Sequence, residues 1–376
     1  MLRYTELFYI EIVTGKRKGP LATLLRGLLY FFSLIYKGAT SLRNKAFDNG
    51  WVRCYYAPVP VVVSVGNIVT GGTGKTPLVL KLAKDLDRNA KLAILTRGYR
   101  SPAERLKKPI TLSRGEGPSY PSSYCGDEPY LLSKNLPHAL MFVGKDRQTG
   151  SIMASKLHAK VVLLDDGMQY RSLARDFEVV VMDAMDPFGQ EYLLPRGFLR
   201  ERLEGLSRAS LIVLNHVKDK QLYLSAKHKL ARYTEVPVIA MHPKFLAFKT
   251  MAGEEISLKE KKAGVFCGIA KPLHFFELLE NQEVQVVDRF LCPDHIIPAS
   301  KELHKFAERC RQEGAEYLLC TEKDSVKLTE TAFTCPLPII WLQMELEIIE
   351  GQEHWEAFLN KIREKIDEDV LISTLS

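Results

Sequence analysis

The segment Val61–Thr76, VVVSVGNIVTGGTGKT, constrains this chain more than any other. A β-branched run leads into a glycine-rich turn that ends in Gly74-Lys75-Thr76. Beyond the turn, Leu78, Leu82 and Leu86 recur at every fourth position with Val79 and Ala83 beside them, so the chain is expected to continue as a helix. Strand, glycine-rich turn and helix together make a phosphate cradle, in which backbone N–H groups and the positive helix end face the anion. Thr70, Gly71, Gly72, Thr73, Gly74, Lys75 and Thr76 are the expected nucleotide-binding residues. Lys75 would reach the β/γ-phosphates, and the Thr76 hydroxyl would ligate Mg²⁺. Pro77 is compatible, because a first-turn N–H has no helical partner to lose. The usual G-x-x-x-x-G-K-[ST] form has Gly where Val69 stands, so the loop is a variant that draws its freedom from Gly71-Gly72.

A second stretch completes a nucleotide site. Val161-Val162-Leu163-Leu164 reads as a buried strand, and Asp165-Asp166-Gly167 at its carboxyl end offers carboxylates for Mg²⁺, directly or through water. The bland alternative is an acid that caps a turn. A guanine-reading N-K-x-D is absent: Asn215-His216-Val217-Lys218-Asp219 and Thr321-Glu322-Lys323-Asp324 both miss the spacing, which favours ATP over GTP.

Around the phosphate loop, short β-rich runs alternate with helical patterns, the pattern of a P-loop NTPase-type, mostly parallel sheet with helices on both faces. Expected strands are 92–96, 139–143, 160–164, 178–182, 210–214 and 236–240. The stretch between Thr96 and Ala139, rich in Gly and Pro, reads as a long substrate loop with little structure of its own. From about residue 262 a second, smaller α/β unit follows, with strands at 263–267, 284–287, 317–320 and 338–341 and helices opening at Pro272 and Ser300. The expected organisation is an N-terminal helical segment over 1–50, a P-loop domain over 51–245, a smaller α/β domain over 246–350, and a closing helix and tail over 351–376.

Charge is concentrated at one end. Residues 1–60 hold nine Lys/Arg and three Asp/Glu, a net +6 of the chain's +7, so the rest is close to neutral. Binding that tracks a nucleic-acid backbone needs basic residues around a groove and is not expected here. The same end is greasy: Leu24, Leu25, Leu28, Leu29, Phe31 and Phe32 crowd one stretch, while Thr23, Arg26, Tyr30, Ser33 and Lys37 fall on a single narrow helical stripe. The uncharged run Gly27–Tyr36 is short for a transmembrane span of about 20 residues. A helix lying in the membrane interface fits the apolar face and its basic flanks, and a helix packed on the protein's own core is the plain alternative. Seven cysteines, odd in number and never in C-x-x-C, argue against a disulfide framework or zinc knuckle and for a reducing compartment.

Further short stretches have the character of site pieces: Thr96-Arg97-Gly98-Tyr99-Arg100, Gly126-Asp127-Glu128-Pro129, Asp165 through Tyr170, Leu194 through Glu201, Gly268 through Pro272, Pro293-Asp294-His295 and Thr321 through Asp324. In this order with the GGTGKT loop, they resemble the tetraacyldisaccharide 4'-kinase (lipid A 4'-kinase) family over about Val61 to Leu328. The family usually has His where Tyr170 stands.

The resemblance implies an ATP- and Mg²⁺-dependent kinase that phosphorylates the 4'-hydroxyl of a tetraacylated glucosamine disaccharide 1-phosphate. It also implies work at the cytoplasmic face of a bacterial inner membrane, as a peripheral or monotopic protein. Asp127 and His295 then stand where the family has its acid–base pair: the carboxylate accepts the hydroxyl proton and the histidine orients it. Gln169 and Glu201 join Thr76, Asp165 and Asp166 near the metal, and Lys75 neutralises charge. Arg97, Tyr99, Arg100, Arg196 and Arg200 are candidate contacts for phosphates of nucleotide or lipid, in a cleft expected between the two domains. Thr321-x-x-Asp324 reads as a helix cap. Two other classes stay open on the residues alone: a membrane-associated P-loop ATPase switch, which needs no Gly126–Pro129 acidic loop, and a soluble small-molecule kinase whose N-terminal helix is core.

Overall fold

The computed structural model describes residues 2–87, 90–328 and 334–375. The chain forms two compact units, Met1–Thr96 with Asp146–His242 and Ile348–Ser376, and Arg97–Lys145 with Pro243–Glu347. In chain order, the first unit opens with α1 (Leu2–Val13), α2 (Pro20–Asp48), β1 (Val61–Gly66), α3 (Lys75–Asp87) and β2 (Leu92–Thr96). The second contributes β3 (Ile110–Arg114), α4 (Ser122–Cys125), α5 (Asp127–Asn135) and β4 (Leu140–Val143). The first resumes with α6 (Arg147–Lys156), β5 (Val161–Asp165), β6 (Phe177–Asp183), β7 (Leu211–Asn215), α7 (Lys220–Leu230) and the start of β8 (Val238–Thr250). The second takes up β9 (Glu255–Ile256), β10 (Lys262–Cys267), α8 (Pro272–Glu280), β11 (Gln285–Leu291), α9 (Ser300–Gln312), β12 (Tyr317–Thr321), α10 (Glu322–Ser325) and most of β13 (Ile339–Glu350). Helix α11 (Gln352–Leu375) returns to the first unit.

In the first unit the strands run in the order β8-β7-β6-β1-β5-β2, every pair parallel. Parallel strands covered on both faces need continuous apolar runs, and β1, β5 and β7 are buried at every residue. Helix α3 seats Leu78, Val79, Leu82 and Ala83 in the core, each fully buried, as their helical spacing predicts. Helix α11 is anchored by Trp355, which is 1% exposed and donates its indole N–H to Asp85 at 2.9 Å. Phe358 meets Phe177 edge-on. Because all these strands point the same way, the carboxyl ends of β1, β5, β6 and β7 lie along one edge, the usual place for a ligand in an open α/β sheet.

The second unit has the order β11-β10-β12-β13-β8, parallel from β11 through β13, with β9 antiparallel on β8. Adjacent residues serve opposite faces. Val265, Leu319 and Ile340 pack with Phe275, Phe276 and Leu279 of α8, whereas Phe266, Leu318 and Ile339 pack with Leu303, Phe306 and Cys310 of α9. Strands β3 and β4 form an antiparallel pair. All seven cysteines are free thiols.

The mostly parallel α/β architecture is the expected one, but two local readings need correction. The stretch between Thr96 and Ala139 is not a structureless loop: it holds β3, α4 and α5. The strands expected to end at 240 and 341 continue to Thr250 and Glu350, because Leu342, Met344 and Leu346 alternate with polar residues down β13 and keep one apolar face. For α2, the alternative of a helix packed in the core does not hold along its apolar stretch. Leu24 is 70% exposed, Phe31 57% and Ile35 56%, while Ser33 is buried. Among the described residues no helix is long and apolar enough to cross a membrane.

Candidate nucleotide and acid–base sites

In the first unit, Val69 forms a bridge with Leu199, Thr70 donates its backbone N–H to Phe198 O at 2.8 Å, and Arg200 donates to Ile68 O. The loop's opening is thus an extended, anchored segment, which explains why a β-branched residue is accommodated where the usual loop has glycine. The bend itself falls at Gly71 (φ 105°) and Gly74 (φ 88°). A Cβ on Gly74 would lie 1.9 Å from Asn215 Nδ2, so only glycine passes there. Asn215, at the end of β7, donates to Thr73 O at 3.1 Å, and Asn67 donates to the Thr73 hydroxyl at 3.0 Å. Lys75 and Thr76 open α3.

Asp165 ends β5 and accepts from Thr96 Oγ1 at 3.0 Å. Asp166, in the left-handed region at φ 52°, is 3.4 Å from Lys75 Nζ and 2.8 Å from Arg200 Nη1. Burial alone would raise the Asp166 carboxyl, but Lys75, Arg200 and Arg147 outweigh it and hold the group well below the usual carboxylate range. Arg147 donates to the backbone oxygens of Asp165 and Asp166 and lies over the Tyr170 ring. The Tyr170 hydroxyl accepts from Arg147 N. Tyr170 therefore braces the arginine that shapes the acidic turn.

Thr76 hydroxyl and the two carboxylates are hard oxygen donors beside a lysine, the donor chemistry that Mg²⁺ accepts. Gln169 and Glu201 are differently engaged. Gln169 accepts from Arg200 at 3.0 Å and donates to Glu201 at 3.1 Å. Glu201, 3% exposed, also accepts from Asn44 at 3.0 Å and Arg208 at 2.6 Å. Arg196 donates to Val13 O and lies over Tyr192.

In the second unit, Gly126 (φ 100°) turns the chain into α5, and Asp127 opens that helix. His295 Nδ1 is 3.1 and 2.9 Å from the two Asp127 oxygens. A carboxylate opposite Nδ1 requires the proton on that nitrogen. His295 is delivered by a close backbone crossing: its N–H donates to Gly268 O, and a Cβ on Gly268 would meet Ile296 O at 1.8 Å. Tyr99 stands edge-on to the imidazole at 5.6 Å. Arg100 lies over Tyr99, and Arg97 pairs with Glu104 at 2.6 Å.

Lys323 and Asp324, read from the sequence only within a helix cap, and Lys327, which sequence reasoning left out, complete this set. Thr321 does cap α10, accepting from Asp324 N, but the same turn carries two lysines. Lys323 Nζ is 2.9 Å from Glu128 and 3.4 Å from His295 Nε2. Lys327 Nζ is 3.5 Å from Asp127 and 2.9 Å from the fully buried Asp324. Asp324 also accepts from Gly268 N at 3.0 Å, tying the lysine turn to the histidine loop. Burial would push the Asp127 carboxyl up; the His295 hydrogen bond and the charges of Lys323, His295 and Lys327 reverse this and hold it well below the ordinary range. Burial likewise opposes the Lys323 charge, and Glu128, Asp294 and Asp127 more than restore it, so Lys323 is raised. The two lysines Lys323 and Lys327, one within and one just after a cap motif, were the available signal.

Comparison with known proteins gives the family. The tetraacyldisaccharide-1-P 4'-kinase family model matches residues 25–363. A tetraacyldisaccharide 4'-kinase of Chlamydia pneumoniae is 36% identical over 315 residues, 82% of this chain and 83% of that protein. The Chlamydia trachomatis enzyme of the same name is 32% identical over 373 residues, 97% and 96% of the two chains. A crystal structure of Aquifex aeolicus LpxK in complex with ATP is similar at a TM-score of 0.70 and 30% identity, covering 90% of this chain and 99% of that one. On this evidence the chain belongs to the tetraacyldisaccharide-1-P 4'-kinase family.

Proposed function

We infer that the chain is a tetraacyldisaccharide 4'-kinase, which transfers the γ-phosphoryl group of ATP to the 4'-hydroxyl of a tetraacyldisaccharide 1-phosphate in lipid A biosynthesis. The observation that carries the reading is the pairing of buried Asp127 with half-buried His295, 2.9 Å apart at its shortest. A P-loop alone does not name a reaction, and a hydrolytic switch has no use for a carboxylate kept charged and oriented in this way.

Phosphoryl transfer proceeds through a loose transition state, so catalysis is positioning and charge neutralisation more than covalent chemistry. Backbone N–H groups of Gly71–Thr76 and the Lys75 ammonium receive the triphosphate. Thr76, Asp165 and Asp166 would hold Mg²⁺, with Gln169 and Glu201 bordering it; when bound, the ion neutralises charge on the phosphate oxygens. Asp127 accepts a hydrogen bond from the acceptor hydroxyl and takes its proton as the new P–O bond forms. Bond-making to phosphorus acidifies that proton late in the step, so a carboxylate of low basicity suffices. His295 fixes the carboxylate's direction through Nδ1–H, and Lys323 and Lys327 keep it ionised. Arg200 holds Asp166 in place, while Arg97, Tyr99, Arg100 and Arg196 remain candidates for contacts to substrate phosphates.

The substrate is a lipid, and α2 suits a lipid surface. Most of its large apolar side chains, among them Leu24, Leu28, Phe31, Phe32, Leu34 and Ile35, face outward, while Ser33 is buried and Tyr36, Thr40 and Asn44 are half-buried, the reverse of the usual arrangement on a soluble protein. Basic residues flank the apolar stretch, as binding to anionic headgroups requires. Contact with a lipid surface through α2 is supported by this exposure and these basic flanks, and a peripheral position at the cytoplasmic face of the inner membrane is part of the proposal. Converting Leu24 and Phe31 to Glu will abolish co-sedimentation with anionic vesicles while leaving the thermal melt unchanged, since both side chains are exposed. Retention on vesicles would end the assignment of α2 to the membrane. The activity itself is tested with γ-labelled ATP and the disaccharide 1-phosphate in mixed micelles. Label in the lipid supports the kinase; release of inorganic phosphate alone supports an ATPase.

A further inference from the structure

Helix α2 does more than present an apolar face. Ser33, Tyr36, Thr40, Arg43 and Asn44 advance by three or four residues per step and then end in an adjacent pair, so they run down one side of the helix, all of them buried or half-buried except the exposed Arg43. Three of these side chains end on the residues bordering the acidic turn. The Tyr36 hydroxyl donates to Arg200 O at 2.8 Å. Arg43 donates to Gln169 O. Asn44 Nδ2 donates to Glu201 Oε2 at 3.0 Å. The contact is returned by Arg171, which donates to Asn44 O at 3.1 Å and pairs with Asp48 at 2.6 Å.

The receiving residues are in turn wired to the phosphate site. Gln169 donates to Asn67 O at 3.0 Å, and Asn67 holds Thr73 of the loop. Arg200 reaches Asp166 at 2.8 Å, and Asp166 reaches Lys75 at 3.4 Å. From Tyr36 the path to the P-loop lysine thus passes through only Arg200 and Asp166. Every residue of that path is half-buried.

We propose that α2 is a working part of the phosphate–metal site. Tyr36, Arg43 and Asn44 act as positioning residues for Arg200, Gln169 and Glu201, so that lipid on the outer face of α2 and Mg·nucleotide at the P-loop bind cooperatively. The cooperative half rests on the membrane reading of α2 given above; the positioning half does not. Linkage requires the effect to run both ways: if lipid steadies the helix and thereby tightens nucleotide binding, nucleotide must tighten lipid binding by the same factor. The consequence is an enzyme whose site is best formed where its acceptor is.

The test uses the full chain and a fluorescent non-hydrolysable ATP analogue, titrated with Mg²⁺ in the presence and absence of equimolar phosphatidylglycerol–phosphatidylcholine vesicles. For the unaltered protein, vesicles are expected to lower the Mg²⁺ concentration at half-saturation about 5–150-fold, the usual range for coupled sites. Asn44→Leu should raise that concentration about 10–100-fold, as loss of an outer partner of a metal site does. It should also erase the vesicle effect while the variant still co-sediments with vesicles. Asn44→Gln, which keeps the donor, should restore part of both. Tyr36→Phe, which removes one hydroxyl, should shift the titration in the same direction and serves if Asn44→Leu does not fold. An unchanged Mg²⁺ titration in these variants overturns the positioning role. A titration blind to vesicles, in unaltered protein that co-sediments with them, overturns the coupling. Failure to co-sediment overturns the membrane reading and the coupling with it, and leaves positioning to be judged by the Asn44 variants.

Discussion

Asp127→Asn will lower kcat by about 10²–10⁴-fold, the range for loss of a general acid–base group, and leave the affinity for Mg·ATP unchanged. The amide keeps the shape of the carboxylate but cannot take the hydroxyl proton. The proposed nucleotide-binding residues all lie in the other unit, so the dissociation constant, measured by calorimetry, should not move. A variant that keeps its full kcat would remove Asp127 from the mechanism. The lysines give the same idea a pH signature. Because the Asp127 carboxyl is depressed, its ionised form persists to well below the ordinary carboxylate pKa of about 4. Its contribution to stability is therefore complete above that pH and is lost only as pH falls through the depressed value. Lys327→Met takes away one of the charges that oppose the effect of burial, so the acid limb of kcat/KM should move to higher pH. Pairing it with Asp324→Asn avoids stranding a buried carboxylate, whose isolation costs about 3–5 kcal/mol. An acid limb that stays in place in the double variant would show that Lys327 does not set the base.

Lys75→Met will reduce kcat/KM by roughly 10²–10³-fold, as removal of a preorganised charge-stabilising donor does, with part of the loss in Mg·ATP binding. Here the binding readout moves where in Asp127→Asn it does not. That contrast separates the two sets of residues by function. Lys75 also neutralises Asp166 at 3.4 Å, so its loss leaves that carboxylate to Arg200 and Arg147. Lys75→Arg should rescue little, because a planar fork does not reproduce a compact ammonium inside a glycine-lined turn. If Lys75→Met binds and turns over Mg·ATP normally, the glycine-rich loop is not a phosphate cradle.

Much of this was legible in the residues, and the reasons are physical. Leu78, Leu82 and Leu86 lie on one helical face and are buried together; a period of 3.6 has few other solutions. Val161 through Asp165 could only be a strand covered on both sides, and its acid had to emerge at the carboxyl end. Local chemistry also marked Gly126-Asp127 as a helix start. What the residues around His295 lacked was any local reason to be near Asp127, 168 positions away. Only the resemblance to a family paired them.

The sequence by itself determined the phosphate loop, the strand–helix alternation and the greasy, basic start of the chain, because each rests on spacing within a few residues. Tertiary structure alone decided which distant groups share a charge environment. It grouped Arg97–Lys145 with Pro243–Glu347, brought a lysine of a capped four-residue helix and a second one just beyond it to the base, and set Tyr36, Arg43 and Asn44 of α2 against Arg200, Gln169 and Glu201. These are long-range juxtapositions, fixed by packing and loop closure, and a linear pattern carries no signal for them. The outward apolar face of α2 belongs to both levels: periodicity gave the face, and only the fold decided that it points away from the protein.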